Sequence, residues 1–216
     1  MGKKELKEKI AFEKAVGIRG GFKSGLIATF KFAIALILLP LLIGLSKALY
    51  QQLLRQNTLV HDNFFLGMII YLIIHLFIHE PNKLNEAGQM LAGRLFSFFV
   101  PLRTILYSCL PVYATVFFAL YFVFKWHFGH TAAIGRFIFL ISFAVTMHLV
   151  LSAAQLRKES TNVLKGDYFF SLCIVYLFEV VLLAGFFYFM LSNFSFIAFL
   201  KDGLSFFVTA LASAWK

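Results

Sequence analysis

The stretch SGLIATFKFAIALILLPLLIGLS, residues 24–46, holds a single charge, Lys31, and a single proline, Pro40. As an α-helix rising 1.5 Å per residue it reaches about 35 Å, enough to cross a hydrocarbon layer roughly 30 Å thick. Polar residues are too few to give it a wet face, so its natural solvent is lipid. The rest of the chain agrees. Of 216 residues, 61% are hydrophobic, only 14% are charged and 29 are Phe. Soluble domains carry roughly 45–50% apolar and about 25% charged residues. A soluble fold of this size has too little interior to hide the excess.

Working outward, four more apolar runs follow: Phe64 to His79, Thr104 to Phe124, Ile134 to Ala154 and Tyr168 to Leu191. The run from Phe64 is short for a span, and reaches a full crossing if Leu59 and Val60 extend it. The predicted fold is all-α, a polytopic transmembrane bundle of about five spans over residues 24–191. A basic amphipathic cytoplasmic segment, residues 1–23, precedes it, and Gly17, Gly20 and Gly21 are expected to form a flexible joint. An amphipathic helix, residues 192–216, follows it. In that tail Phe196, Ile197, Leu200, Leu204, Phe207, Val208, Leu211 and Trp215 recur at helical spacing, opposite Asp202, Ser205, Thr209 and Ser213. Such a helix lies along the membrane surface or packs on the bundle. A further crossing would have to bury Lys201 and Asp202, at a cost of several kcal/mol. Pro40 and Pro111 are expected to kink the first and third spans.

The net charge of +10 reports orientation. Thirteen Lys and Arg residues fall on the side of the N-terminus and six on the other, which predicts a cytoplasmic N-terminus. The same basic face attracts anionic lipid headgroups. Nucleic-acid binding is not expected, because the aromatics that would stack on bases lie within the spans. Cys109 and Cys173 sit in apolar runs and form no disulfide framework or metal motif. The N-terminus lacks the pattern of a signal or transit peptide, and Leu6 stands where a myristoylation motif requires Ser or Thr.

Ionisable groups within spans are costly to hold there and are therefore candidates for function. Four occur: Lys31, His75, His148 and Glu179. Their similar depths suggest a Lys31–Glu179 ion pair with the histidines nearby. Three roles compete for this cluster: a buried pair that fixes packing, a proton or ion path, and haem ligation by His75 and His148; the remaining alternative is that the groups face separate environments and never meet. The first is the preferred reading. His75 and His79 share a helix face at i, i+4, with Asp62 and Glu80 as the only plausible further metal ligands.

Between the second and third runs lies HEPNKLNEAGQMLAGRLFSFFV, residues 79–100, in which residues 84–100 read as a helix. Here the chain resembles the site-2 protease family of membrane zinc metalloproteases, which carry His-Glu-x-x-His on an intramembrane helix. The matching residues are Asn85, Glu86, Ala87, Gly88 and Gln89, continued by Met90 to Phe96. Stretches 108–113 and 167–171 are similar to segments of small bacterial members. Asn85 and Gln89 replace both zinc-binding histidines, and an amide oxygen is a poor zinc ligand. Glu86 would hold the general-base position with no metal-activated water to deprotonate. Lys201-Asp202-Gly203 is no convincing counterpart of the family's third ligand.

The resemblance thus implies a pseudoprotease in a bacterial inner (plasma) membrane, without catalytic residues, resident metal or cofactor. The expected function is binding or scaffolding of other membrane proteins. The alternative is a small transporter or proton-conducting subunit that uses the intramembrane Lys, His and Glu.

Overall fold

A computed structural model describes residues 3–77, 90, 110–128, 133–159 and 166–214, with side chains described for residues 26–77, 90, 110–128, 133–157 and 168–213. Among the described residues there are six helices and no strand. They are α1 (Lys3–Leu54), α2 (Thr58–Phe77), α3 (Val112–Phe128), α4 (Ile134–Glu159), α5 (Gly166–Met190) and α6 (Phe196–Ala214). Local chemistry marks several of their ends. The Asn57 side chain accepts from the Leu59 N–H and caps α2, and the Ser195 hydroxyl accepts from the Ala198 N–H and caps α6.

Among the described residues, five stretches are long and apolar enough to cross a membrane: Leu26–Leu54, Thr58–Phe77, Ile134–Arg157, Tyr168–Met190 and Phe196–Ser213. Their mean hydropathies run from 1.5 to 2.5, and large apolar side chains such as Phe30, Ile37, Leu66 and Ile73 face outward. A soluble protein does not expose such a surface, so this is a multi-pass membrane protein.

The set of five differs from the predicted one. The tail qualifies, while the described part of the third run forms a 17-residue helix, Val112–Phe128. Pro111 marks the start of this helix. Rather than kinking a helix it precedes one, and its carbonyl accepts from the Thr115 N–H at 3.0 Å. Proline needs no N–H donor at such an edge. The predicted joint at Gly17, Gly20 and Gly21 is also corrected, because α1 runs unbroken from Lys3 to Leu54. A helical glycine costs about 1 kcal/mol relative to alanine and does not by itself stop a helix. Leu59 and Val60 do extend the second span, which begins at Thr58.

Contacts fix the directions of the helices. Phe32 meets Phe169 and Ser46 bonds Tyr176, so α1 and α5 run parallel. Gln52 bonds Ser195 while Gly44 abuts Gly203, so α6 returns antiparallel along α1. Leu59 lies against Gly135, Gly67 against Ser142 and Tyr71 against Phe143, so α2 and α4 run parallel. Tyr50 on Phe65 closes the α1–α2 hairpin, and Phe137 on Tyr121 and Phe124 the α3–α4 hairpin. Chain direction therefore alternates from each described helix to the next.

Glycines permit the closest approaches. A Cβ on Gly44 would lie 2.5 Å from the Gly203 carbonyl, and one on Gly67 would lie 2.4 Å from the Phe139 carbonyl. Small residues at such crossings let helices pack without a hydrophobic driving force. Elsewhere aromatic rings fill the interior, including Phe118 stacked on Phe186 at 4.3 Å and Phe64 edge-on to Phe187.

Candidate functional site

Glu179 lies midway along the Tyr168–Met190 span and is only 1% exposed. A bare carboxylate there would be prohibitive. Across the α4–α5 interface, the His148 Nδ1 and Glu179 Oε1 share a hydrogen bond. One proton shared between imidazole and carboxyl leaves the pair with no net charge, whichever group holds it. The other carboxyl oxygen, Oε2, is buried without a hydrogen-bond partner. Such an orphan is uncommon, since most buried polar atoms are satisfied.

Of the four predicted intramembrane residues, the structure joins these two in a hydrogen bond. The expected Lys31–Glu179 pair does not form. Phe32, next to Lys31, packs on Phe169, ten residues and about 15 Å of helix away from Glu179. Lys31 lies five residues inside the N-terminal limit of its span, shallow enough for its long stem to carry the ammonium to the interface. His75 sits in the last turn of α2, where its ring stacks on Tyr71 and its Nδ1 lies 3.4 Å from the Tyr71 hydroxyl. Tyr71 packs in turn with Phe143 and Met147.

The candidate motif Asn85, Glu86 and Gln89 lies outside the described residues, as do His79 and Glu80. Among the described residues, no three His, Cys, Asp or Glu side chains converge into a metal-binding group.

Glu179 also lines a cavity of about 240 Å³ between α1, α2, α4 and α5. Its polar lining comprises Ser46, Tyr50, Ser142, Thr146 and Tyr176, and its remaining walls are apolar, among them Leu53, Phe64, Met68 and Leu183. A wider groove of about 840 Å³ runs over α5 between α1 and α4, bordered by Leu39, Ile43, Leu149, Ala153 and Cys173. Ser46, Tyr50, Leu149 and Tyr176 belong to both, so groove and cavity meet at these four residues. The opening exists because α1 packs extensively on α5 and α6 but hardly touches α4.

Hydrogen bonds constrain the polar lining. The Ser46 hydroxyl donates to the Leu42 carbonyl at 2.7 Å, which leaves Tyr176 to donate to Ser46 Oγ, also at 2.7 Å. The Ser142 hydroxyl donates to the Phe139 carbonyl at 3.0 Å and Thr146 to the Ser142 carbonyl at 2.8 Å. Back-bonding of this kind is usual for hydroxyls in apolar helices.

Sequence reasoning missed these hydroxyls because Ser, Thr and Tyr in apolar helices carry no charge to flag them. One signal was present. Ser142 and Thr146 stand at i, i+4, and Tyr176 and Glu179 at i, i+3, so each pair shares a helix face.

No family model matches the chain, and no curated protein or solved structure matches it significantly.

Proposed function

We propose that this is a non-enzymatic, membrane-embedded binding protein whose ligand is a small amphipathic molecule entering sideways from the bilayer. One observation carries the reading: an apolar groove between α1 and α4 leads to a cavity whose lining includes Glu179, a buried, half-satisfied carboxyl. Concave, mostly apolar sites with a few convergent polar groups are the usual form of small-molecule sites. A photoactivatable long-chain alcohol should label peptides containing Ser46 and Leu149, and Leu149→Trp should suppress that labelling. Labelling spread evenly over the lipid-facing surface, or indifferent to Leu149→Trp, would overturn the proposal.

The N-terminus belongs on the cytoplasmic face. With α6 counted as a crossing, fourteen Lys and Arg residues fall on that face and five opposite, which supports a plasma-membrane orientation and contact with anionic headgroups. A degenerate site-2-protease-like origin, and a scaffolding role toward other membrane proteins, rest on Asn85, Glu86 and Gln89 alone. Zinc-dependent cleavage of a membrane substrate that is lost in Glu86→Gln would refute the non-enzymatic reading. The midplane position of Glu179 and His148 favours transport as a second reading, in which the same pair relays a proton or releases cargo to the far side. Proteoliposome flux unchanged by Glu179→Gln would remove it.

A further inference from the structure

The cavity's donors and acceptors are unequally available. The O–H groups of Ser46, Ser142, Thr146 and Tyr176 are all committed to other protein atoms. What these groups can still offer a ligand is lone pairs. Glu179 adds Oε2, a carboxyl oxygen with no partner. His148 lies behind Glu179 and does not line the cavity, so its ring stabilises the carboxyl without supplying a donor to the interior. Tyr50, 45% exposed at the mouth, is the one hydroxyl of the lining free to turn either way. The lining thus offers several acceptors and one carboxyl group, set in an apolar chamber.

A ligand that satisfies such a wall brings several N–H donors and a positive charge. We infer that the cavity selects a membrane-partitioned primary amine, whose ammonium bonds Glu179 with Ser142 and Thr146 nearby and whose apolar body fills the chamber. This rests on the binding reading above and adds the chemistry of the head group. His148, as neutral imidazole, would donate its Nδ1–H to Oε1 and leave Oε2 for the ammonium. Carboxylate and ammonium then cancel, so the complex carries no net charge at the midplane. Size limits the body. A dry cavity of about 150 Å³ accommodates benzene, so about 240 Å³ accommodates a ring with a short chain. A longer tail would extend into the groove past Ser46 and Leu149.

Competing candidates point less clearly to a ligand. The polar recess of Lys47, Gln51, Arg55, Asp202 and Ser205 between α1 and α6 mixes both signs of charge, and the Lys47 ammonium already lies 5.0 Å over the Phe206 ring. Buried Cys173 stands among apolar neighbours with no second group to act with it.

The test compares 2-phenylethylamine with 2-phenylethanol, which has the same skeleton and one neutral donor. Calorimetric titration of the full chain in phospholipid nanodiscs, corrected with empty nanodiscs, should show the amine binding about ten- to a hundred-fold more tightly. Thr146→Val, which removes one acceptor at nearly constant volume, should weaken the amine several-fold and leave the alcohol within about twofold. Glu179→Gln should abolish the preference for the amine. Equal binding of amine and alcohol by the wild-type protein would overturn the head-group assignment while leaving the lateral binding site intact. Binding of neither would overturn both. An amine preference that survives Glu179→Gln would overturn the role of that carboxyl, and the wild-type comparison needs no variant to fold.

Discussion

Alanine at Gly67 and alanine at Gly185 should shift stability in opposite directions, although both glycines lie inside apolar helices. At Gly67 the new Cβ would meet Ser142 Oγ at 2.1 Å and the Phe139 carbonyl oxygen at 2.4 Å. Ser142 can rotate aside, but the Phe139 oxygen belongs to the α4 backbone. It must retreat about 0.6–1.0 Å before the contact becomes ordinary, and α4 moves with it. Overpacking of this kind costs about 1–3 kcal/mol, and here the rigid backbone partner favours the upper half. Relief of glycine's backbone entropy returns about 1 kcal/mol, so Gly67→Ala should destabilise by about 1–2 kcal/mol. At Gly185 the Cβ would meet nothing within 4 Å, so only the favourable term remains. The two variants should therefore differ by about 2–3 kcal/mol. For a chain of this length that corresponds to roughly 4–12 °C in melting temperature, measured by circular dichroism in one detergent. Ser142→Gly should rescue Gly67→Ala only in part, since the Phe139 oxygen stays in place. Equal melting temperatures for the two alanine variants, or full rescue by Ser142→Gly, would refute the close α2–α4 crossing.

Other outcomes follow from the same contacts. His148→Ala strands the Glu179 carboxyl and should destabilise by about 3 kcal/mol, whereas replacing both residues with leucine should recover most of the loss in chemical denaturation. Gln52→Leu removes two long hydrogen bonds to Ser195 and should cost about 1 kcal/mol, seen as faster amide exchange in residues 191–195. Reporter fusions at the two termini should lie on the same side of the membrane if all six described helices cross, the shorter α3 included; opposite sides would refute either α3 or α6 as a crossing.

The all-helical membrane character was legible because apolar runs such as residues 24–46 leave a soluble fold no way to hide them. Element limits were less so. Pro111 reads as a kink or as a helix start until its neighbours are placed, and the latter won. The tail packs on α1, as its apolar stripe suggested, and its length and composition also suit a crossing despite Lys201 and Asp202. Both stand within seven residues of the start of α6, where the charged recess with Lys47 and Arg55 receives Asp202 and Lys201 is exposed. Charge in that position has no need to cross the hydrocarbon centre. At the site, depth alone suggested that Lys31, His75, His148 and Glu179 meet. Depth fixes height along a helix but not which face a residue occupies or which helix lies opposite. Only the packing of α4 on α5 shows that His148 finds Glu179.

The partner choice of α1 sets an order of events during synthesis. Its main neighbours are α5 and α6, which begin at Gly166 and Phe196, while it packs little on α2. At about 5–20 residues per second, the ribosome needs roughly 6–20 s after Leu54 to reach α5. Throughout that interval the Gly44–Ala48 ridge and Gln52 have no native partner to meet. The earliest of the six described helices is thus among the last to be seated, and the lateral groove it borders exists only once α5 has entered the membrane.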